Sequence, residues 1–182
     1  IKSADPEVAK EQLAQSFREC KFLGYDYVEN FAFIRDYYKD NPEALVQLQK
    51  DCGVELVNLY GHFTFDVEES LRIAKGQVDF LAAVGGKWYN CQNGGFGDDG
   101  PSERPTNPEM IDKMCAIVNE LGAYAKERGV TVCFHPHYGT CVFSQSDIDS
   151  FAAHTNPEVV SLGIDTAHTT LAGMDPAALI RQ

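Results

Sequence analysis

Two short histidine-bearing segments hold the side chains of this sequence that are best suited to chemistry. Residues 134–140 read FHPHYGT, and residues 163–168 read GIDTAH. Each segment comes at the end of an apolar run that is typical of a buried strand, so that His135 and Asp165 close the two strands. Because the carboxyl ends of parallel strands share one edge of a sheet, we expect His135, Asp165 and His168 to converge there.

The combination of imidazole and carboxylate predicts a divalent metal site at this edge. Asp165 is the strongest single candidate, because a carboxylate that ends an apolar strand must be paired, exposed or metal-bound. His135, Asp165 and His168 are the candidate ligands of such an ion, and imidazole with carboxylate suits transition metals better than Ca²⁺. Mn²⁺ is expected first, with Co²⁺, Zn²⁺ or Mg²⁺ as alternatives. The structural alternative is a hydrogen-bonded Asp–His pair that joins the two strands without an ion.

His137 lies two residues beyond His135, on the loop that follows Pro136. This place suits substrate contact or proton transfer, and the structural alternative is that His137 holds the turn at Gly139. His154 falls in or just after a predicted helix, away from the sheet edge, and is assigned no role.

Polar residues on three earlier predicted strands are weaker candidates for substrate binding. His62 follows the strand predicted over 54–60, and Glu29 has a similar place in the strand before it. Asn90 and Gln92 share one face of their strand, from which their amides could bond a polyol. For each of these residues, an ordinary polar side chain near a strand end is the competing interpretation.

Helices and strands alternate along the chain, and the signals at their ends repeat. Helices are predicted to begin at a capping Asp or Asn followed by proline, and once at a capping box: Asp5, Asn41, Asn107, Asp175 and Ser144. Four predicted helices, among them one over the apolar positions from Val67 to Leu81, end at glycines: Gly24, Gly53, Gly85 and Gly129. Strands are predicted over 25–30, 54–60, 88–92, 130–134 and 159–164.

These elements make about five β/α units, which we assign to one domain over residues 1–182. A doubly wound sheet would bury apolar side chains on both of its faces. Here the predicted strand 130–134 has an apolar face and a second face of small or polar residues, which fits a barrel interior. We therefore predict an α/β fold of the (β/α)8 barrel type. Since a full barrel needs ~250 residues, we expect this chain to be an incomplete barrel.

Composition excludes several classes of function. The formal net charge is −12 and no basic stripe is present, which argues against a nucleic-acid partner. No apolar run is long enough for a membrane span, and the dinucleotide, P-loop and serine-hydrolase motifs are absent. The six scattered cysteines favour free thiols in a reducing cytoplasm. The Gly-, Asp- and Pro-rich stretch 93–106 is predicted as either a lid or a solvated loop.

The two histidine segments resemble those of the xylose isomerase-like TIM barrels. This superfamily contains sugar phosphate isomerases and epimerases, inosose dehydratases and endonuclease IV. Residues 135–140, HPHYGT, are similar to the H-P-H-x-G-T of inosose dehydratase-like members. Residues 165–168, DTAH, with AGMDP at 172–176, are similar to the D-T-x-H and A-G-x-D-P segments of the family. The resemblance extends over nearly the whole chain as successive β/α units.

The resemblance implies a divalent metal at the barrel mouth, bound through His135 and Asp165. Members usually take further ligands, including a glutamate, from the last two strands, and many carry glutamate where this chain has His135. His168 matches a residue that contacts substrate in the isomerases and a metal in the endonuclease. We therefore expect His168, together with His137, to contact substrate and to take part in catalysis.

Three hypotheses of function follow from these observations. The first is a metal-dependent isomerase or epimerase that acts on a small keto-sugar or polyol through an enediolate, with an inosose dehydratase-like lyase as its alternative. The second is a phosphodiesterase like the endonuclease, against which the net charge argues. The third is a non-catalytic barrel remnant. The first hypothesis implies a small carbohydrate as partner, without nucleic acid or membrane, and leaves a homo-oligomer open.

Overall fold

The computed structural model describes residues 5–93 and 107–182. Its helices are α1 (Pro6–Phe22), α2 (Arg35–Tyr38), α3 (Pro42–Cys52), α4 (Val67–Ala83), α5 (Pro108–Lys126), α6 (Gln145–His154), α7 (Thr166–Leu171) and α8 (Pro176–Ile180). Its strands are β1 (Tyr27–Phe31), β2 (Glu55–Phe63), β3 (Trp88–Asn93), β4 (Thr131–Phe134) and β5 (Val160–Leu162). A short 3₁₀ helix, Ala32–Ile34, precedes α2. The stretch predicted as a lid or a loop lies, from residue 94 to residue 106, outside the described residues.

The five strands form one parallel sheet in which the order of the strands follows the chain, β1-β2-β3-β4-β5. A doubly wound sheet reverses its strand order at a switch point, whereas sequential neighbours form the wall of a β/α barrel. This order rules out the doubly wound alternative for the described strands, and the predicted α/β class is confirmed.

The two faces of the sheet differ as the alternation of residue types predicts. In β4, Val132 and Phe134 are fully buried against the helices, and Phe134 stacks on Phe151 of α6 with ring centroids 4.2 Å apart. Thr131 and Cys133 lie on the other, concave face and are exposed or half-buried. Apolar burial on the helix side holds the sheet in place and leaves the concave face free to carry polar side chains.

The predicted helix signals work through capping hydrogen bonds. The side chains of Asp5, Asn41 and Asn107 each accept a backbone N–H in the first turn of a helix that opens with proline. Ser144 and Asp147 form the predicted reciprocal capping box at the start of α6. Within the described ranges, no helix combines the length and the apolar character that a membrane crossing requires.

The structure differs from the predicted elements in two places that matter for the site. Strand β2 continues to Phe63, so that His62 lies inside the strand rather than beyond its end. The helix α7 was not predicted, because its capping residue, Asp165, also closes the apolar run that predicts a strand over 159–164. The hydrogen-bonded part of that strand is shorter and ends at Leu162.

We predict that Gly122→Ala destabilises the fold by about 2 kcal/mol, as overpacking of a core does. A Cβ atom at Gly122, in the C-terminal part of α5, would overlap the backbone carbonyl oxygen of Val159. The clash outweighs the ~1 kcal/mol that alanine normally adds over glycine inside a helix. Urea unfolding of the variant and the parent measures the difference.

Gly76→Ala, in α4, is the matched control for this prediction. Its Cβ would lie 3.0 Å from Nη2 of Arg35, the flexible end of a side chain that can move aside. We therefore expect a neutral or stabilising effect at this position. Equal loss of stability in both variants would show that the backbone contact at Val159 does not decide the outcome.

Candidate active site

Three histidines meet at the carboxyl ends of β4 and β5. One ring nitrogen from each of His135, His137 and His168 lies within 4.8 Å of the other two. The ring centroids of His137 and His168 are 3.6 Å apart, and His135 lies 5.5 Å from the first and 5.4 Å from the second. We call these three residues the histidine cluster.

His135 is fixed by hydrogen bonds to the strands on either side of β4. Its backbone N–H donates to the carbonyl of Cys91, and its ring Nδ1 lies 3.0 Å from the carbonyl oxygen of Gly163. Since a carbonyl can only accept, Nδ1 carries the proton and Nε2 keeps its lone pair. The side chain is buried, and burial lowers the pKa of His135, which favours the neutral ring.

His137 lies on the loop after β4, and its ring is oriented in the same way. Its Nδ1 is 2.6 Å from the carbonyl oxygen of Tyr138, so this nitrogen donates and Nε2 is again the atom with a free lone pair. A backbone carbonyl that receives Nδ1–H is the usual device by which proteins orient a metal-binding or proton-accepting imidazole.

His168 approaches the other two histidines from the first turns of α7. Its Nδ1 is buried and has no hydrogen-bond partner, which is costly for a polar atom that nothing else satisfies. Burial, and then the neighbouring His137, lower the pKa of His168. A neutral ring with an unpartnered buried nitrogen is suited to bind a metal ion or to accept a proton.

Asp165 lies beside the histidine cluster and is not one of its three members. Its Oδ1 accepts the backbone N–H groups of Ala167, at 2.7 Å, and His168, at 3.1 Å, which caps α7. The N–H of His168 is also the main cause that lowers the pKa of Asp165, so the carboxylate is charged at neutral pH. One carboxylate oxygen thus has a structural task that the sequence did not reveal, and the ligand role stays a prediction.

The donor set of the histidine cluster fits a divalent transition metal. Two of its rings present an Nε2 lone pair, the third has an orphaned buried nitrogen, and a charged carboxylate lies next to them. Neutral imidazoles are preferred ligands of Zn²⁺ and of related ions, whereas Mg²⁺ and Mn²⁺ prefer oxygen donors.

Asn90 and Gln92 point the same way from β3, toward the concave face. The side-chain oxygens Oδ1 of Asn90 and Oε1 of Gln92 are both buried without a hydrogen-bond partner. Two unsatisfied acceptors on one strand are suited to receive hydroxyl groups of a bound polyol. The predicted substrate-binding role of both residues has this support and remains untested.

His62 lies outside the histidine cluster. It is exposed in β2, where it pairs with Gln92 across the sheet, and its ring contacts Phe31 and Tyr60. Glu29 lies lower on the concave face, where its carboxylate accepts the amide of Asn58 at 2.5 Å. His62 can therefore contact a molecule bound at the edge of the site. Glu29 links β1 to β2 through its hydrogen bond to Asn58.

The sequence missed two aromatic residues of the concave face, Phe31 and Tyr60. The ring of Tyr60 lies 5.7 Å from that of His135, and Phe31, about half exposed, packs edge-on against Tyr60 at 5.5 Å. Burial and the charge of Glu29 raise the pKa of the Tyr60 phenol, which therefore remains a hydrogen-bond donor. Their inward positions follow from strand alternation, but aromatic residues in a strand are normally interpreted as core.

Comparison with known proteins identifies relatives of this architecture. Residues 17–181 match the family model described as the xylose isomerase-like TIM barrel. An inosose dehydratase from Lacticaseibacillus casei is 31% identical over 188 residues, which cover 97% of this chain and 62% of that protein. The chain spans between 37% and 62% of the length of the curated relatives compared.

Two solved structures share the fold at low sequence identity. D-psicose 3-epimerase, crystallised in the presence of D-fructose, superposes with a TM-score of 0.76 at 13% identity and covers 92% of this chain and 63% of its own. The IOLI protein, solved with a bound zinc atom, superposes with a TM-score of 0.71 at 19% identity and covers 94% of this chain and 63% of its own.

Asp165 variants should separate its capping role from a ligand role. We expect Asp165→Ala to lose about 1 kcal/mol of stability through the missing cap, whereas Asp165→Asn, which can still cap α7, stays close to the parent in urea unfolding. If the second oxygen of Asp165 binds metal, both variants lose Co²⁺ affinity in a spectroscopic titration. Parent-like Co²⁺ affinity in Asp165→Asn would limit Asp165 to the cap.

Proposed function

Since the chain belongs to the xylose isomerase-like TIM barrel family, we propose that it carries the active site of a metal-dependent enzyme that acts on a small keto-sugar or keto-polyol. The histidine cluster is the observation that carries this proposal: two imidazoles oriented through Nδ1, a third with an unpartnered buried nitrogen, and a charged carboxylate beside them at the carboxyl ends of the strands. That edge is where barrel enzymes bind substrate. The proposed domain is one partial barrel over residues 1–182.

His135 and Asp165 are the residues proposed to hold a divalent ion, with the other two histidines within reach of it. The bound ion would supply positive charge that polarises the carbonyl group of the substrate. Asn90 and Gln92 would accept hydrogen bonds from hydroxyl groups, since their buried oxygens have no partner in the protein. His62 and the phenol of Tyr60 would contact the substrate from β2.

Proton transfer is assigned to His137 and His168. A neutral imidazole beside a polarised carbonyl can remove the proton from the adjacent carbon and leave an enediolate. Return of that proton to the neighbouring carbon gives isomerisation, and its return to the same carbon from the opposite face gives epimerisation. Loss of the β-hydroxyl group, which takes up a proton and leaves as water, gives dehydration. A ring nitrogen that binds the ion cannot accept a proton at the same time. Metal affinity and turnover, measured for variants of His137 and of His168, therefore show which ring binds metal and which transfers the proton.

Dehydration is the second candidate, and it has support of equal weight. The sequence relative named above is an inosose dehydratase, while the superposed structures include an epimerase. Both reactions begin with the same proton removal, so one site can serve either chemistry. The imidazole-rich donor set favours Co²⁺ or Zn²⁺ as the ion for both.

The setting of the enzyme completes the proposal. Its partner is a small carbohydrate, and the net charge of −12 opposes binding of a polyanion. The scattered cysteines favour a cytoplasmic location. Whether copies of the chain associate is left to measurement of the mass in solution.

The test is proton exchange in heavy water with the full natural protein. The enzyme is stripped of metal, reloaded with Co²⁺, Zn²⁺, Mn²⁺ or Mg²⁺, and incubated with ketohexoses and with inososes. We expect metal-dependent incorporation of deuterium at the carbon next to the carbonyl, which NMR detects. The product should be either an epimer or a dehydrated compound. His135→Ala should reduce exchange at least ~100-fold, since a misplaced or missing catalytic group has effects of this size.

His154→Ala is the matched control. His154 is an exposed histidine at the end of α6, and its Nδ1 lies 3.8 Å from Oδ1 of Asp112 in α5, in the outer layer of helices. The His154→Ala variant should catalyse deuterium exchange at the parental rate. The proposal fails if no metal supports exchange on any of these substrates.

A further inference from the structure

Thr140 is a buried polar residue in the loop between β4 and α6 that has no part in the chemistry described so far. Only 2% of its surface is exposed. Its hydroxyl donates to the backbone carbonyl of His137 at 2.8 Å and lies 3.3 Å from the carbonyl oxygen of Val142. The side chain therefore reaches the residue that carries one ring of the histidine cluster.

Backbone hydrogen bonds close a tight turn around the same carbonyl. The N–H of Thr140 donates to the oxygen of His137 at 3.1 Å, and the N–H of His137 donates to Val142 at 3.2 Å. Gly139 lies between them with φ +97°, a conformation that side chains other than hydrogen strongly disfavour. The turn can form from the backbone alone, so the hydroxyl adds a constraint rather than creating the turn.

The far end of the loop is anchored independently. The carboxylate of Asp147, itself 2% exposed, accepts the backbone N–H of Ser144 at 3.0 Å and the hydroxyl of Ser144 at 2.6 Å. With this end fixed by the start of α6, the freedom left in the loop lies near His137. The hydroxyl of Thr140 acts at that point.

We propose that Thr140 is a positioning residue: by holding the carbonyl of His137, its hydroxyl fixes the imidazole of His137 against that of His168. The ring contact of 3.6 Å and the bond from Nδ1 to the Tyr138 carbonyl both require the backbone of residues 137–138 to stay in place. The inference rests on the proposed function, because it assumes that the histidine cluster does the chemistry. Supporting residues of this kind commonly change metal affinity or activity ~10–100-fold when they are lost.

The test compares Thr140→Val, which keeps the shape and removes the hydroxyl, with Thr140→Ser, which keeps the hydroxyl. In the full natural protein we expect Thr140→Val to lower kcat ~10–100-fold with little change in KM, and Thr140→Ser to restore most of it. Nitrogen-edited NMR of the histidine rings supplies a readout that does not depend on activity. The His137 ring should be an Nδ1–H tautomer in the parent and in Thr140→Ser, and a mixture in Thr140→Val.

Ser70→Ala is the control for general loss of a buried hydroxyl. Ser70 is 4% exposed, and its hydroxyl holds the loop after β2 by bonding the backbone of Thr64 at 3.0 and 3.1 Å. We expect similar destabilisation from this variant, without the change in the His137 ring. If Thr140→Val does not fold, Thr140→Ala is measured in its place.

Two outcomes overturn the proposal. One is a parental His137 tautomer and parental kcat in Thr140→Val, and the other is an equal loss of kcat in Ser70→Ala and Thr140→Val. If the parent itself shows no turnover, the proposed function fails, and the NMR comparison alone still decides whether Thr140 positions His137.

Discussion

The hydrogen bond from His135 Nδ1 to the carbonyl of Gly163 is the interaction on which the site depends. It joins the ends of β4 and β5, where the register pairs Phe134 with Leu162, and so continues the sheet by one side-chain bond. It also selects the tautomer in which Nε2 of His135 keeps its lone pair. The same bond therefore links the two strands and fixes the proton on the ring of His135. It can form because β4 and β5 are parallel neighbours whose ends lie side by side.

Backbone carbonyls, rather than carboxylates, orient the imidazoles of this site. His135 uses Gly163 and His137 uses Tyr138, both through Nδ1. A carbonyl fixes the ring without adding charge. Burial lowers the pKa of His135 and of His168, which favours neutral rings that keep a lone pair for an ion or a proton. The charge at the site comes from Asp165, whose capping bonds hold it ionised. Neutral donors next to a single fixed carboxylate are a setting that attracts a cation.

The sequence predicted the fold better than the arrangement of the site. Capping residues and alternation reflect local physics, so Asp5, Asn107 and the two faces of β4 could be assigned without coordinates. Asp165 could not, because a carboxylate after an apolar run is equally typical of a strand end and of a helix cap. The approach of His137 to His168 depends on hydrogen bonds within a loop, which cannot be predicted from the periodicity of the sequence. Phe31 and Tyr60 have the residue types of a core, which hid their place on the concave face.

Each position of the segment HPHYGT now has a physical task. His135 ends the strand, and Pro136 starts a loop at a point where the ladder has ended and a missing N–H is tolerated. His137 returns toward the sheet because Gly139 takes a positive φ and Thr140 closes the turn onto its carbonyl. On a regular strand, side chains two residues apart point to the same face and lie ~6.6 Å apart, so it is the loop that brings the ring of His137 to 3.6 Å from that of His168. The glycine and the threonine are therefore as much a part of the site as the imidazoles, since they convert a sequence spacing into a shared ring contact.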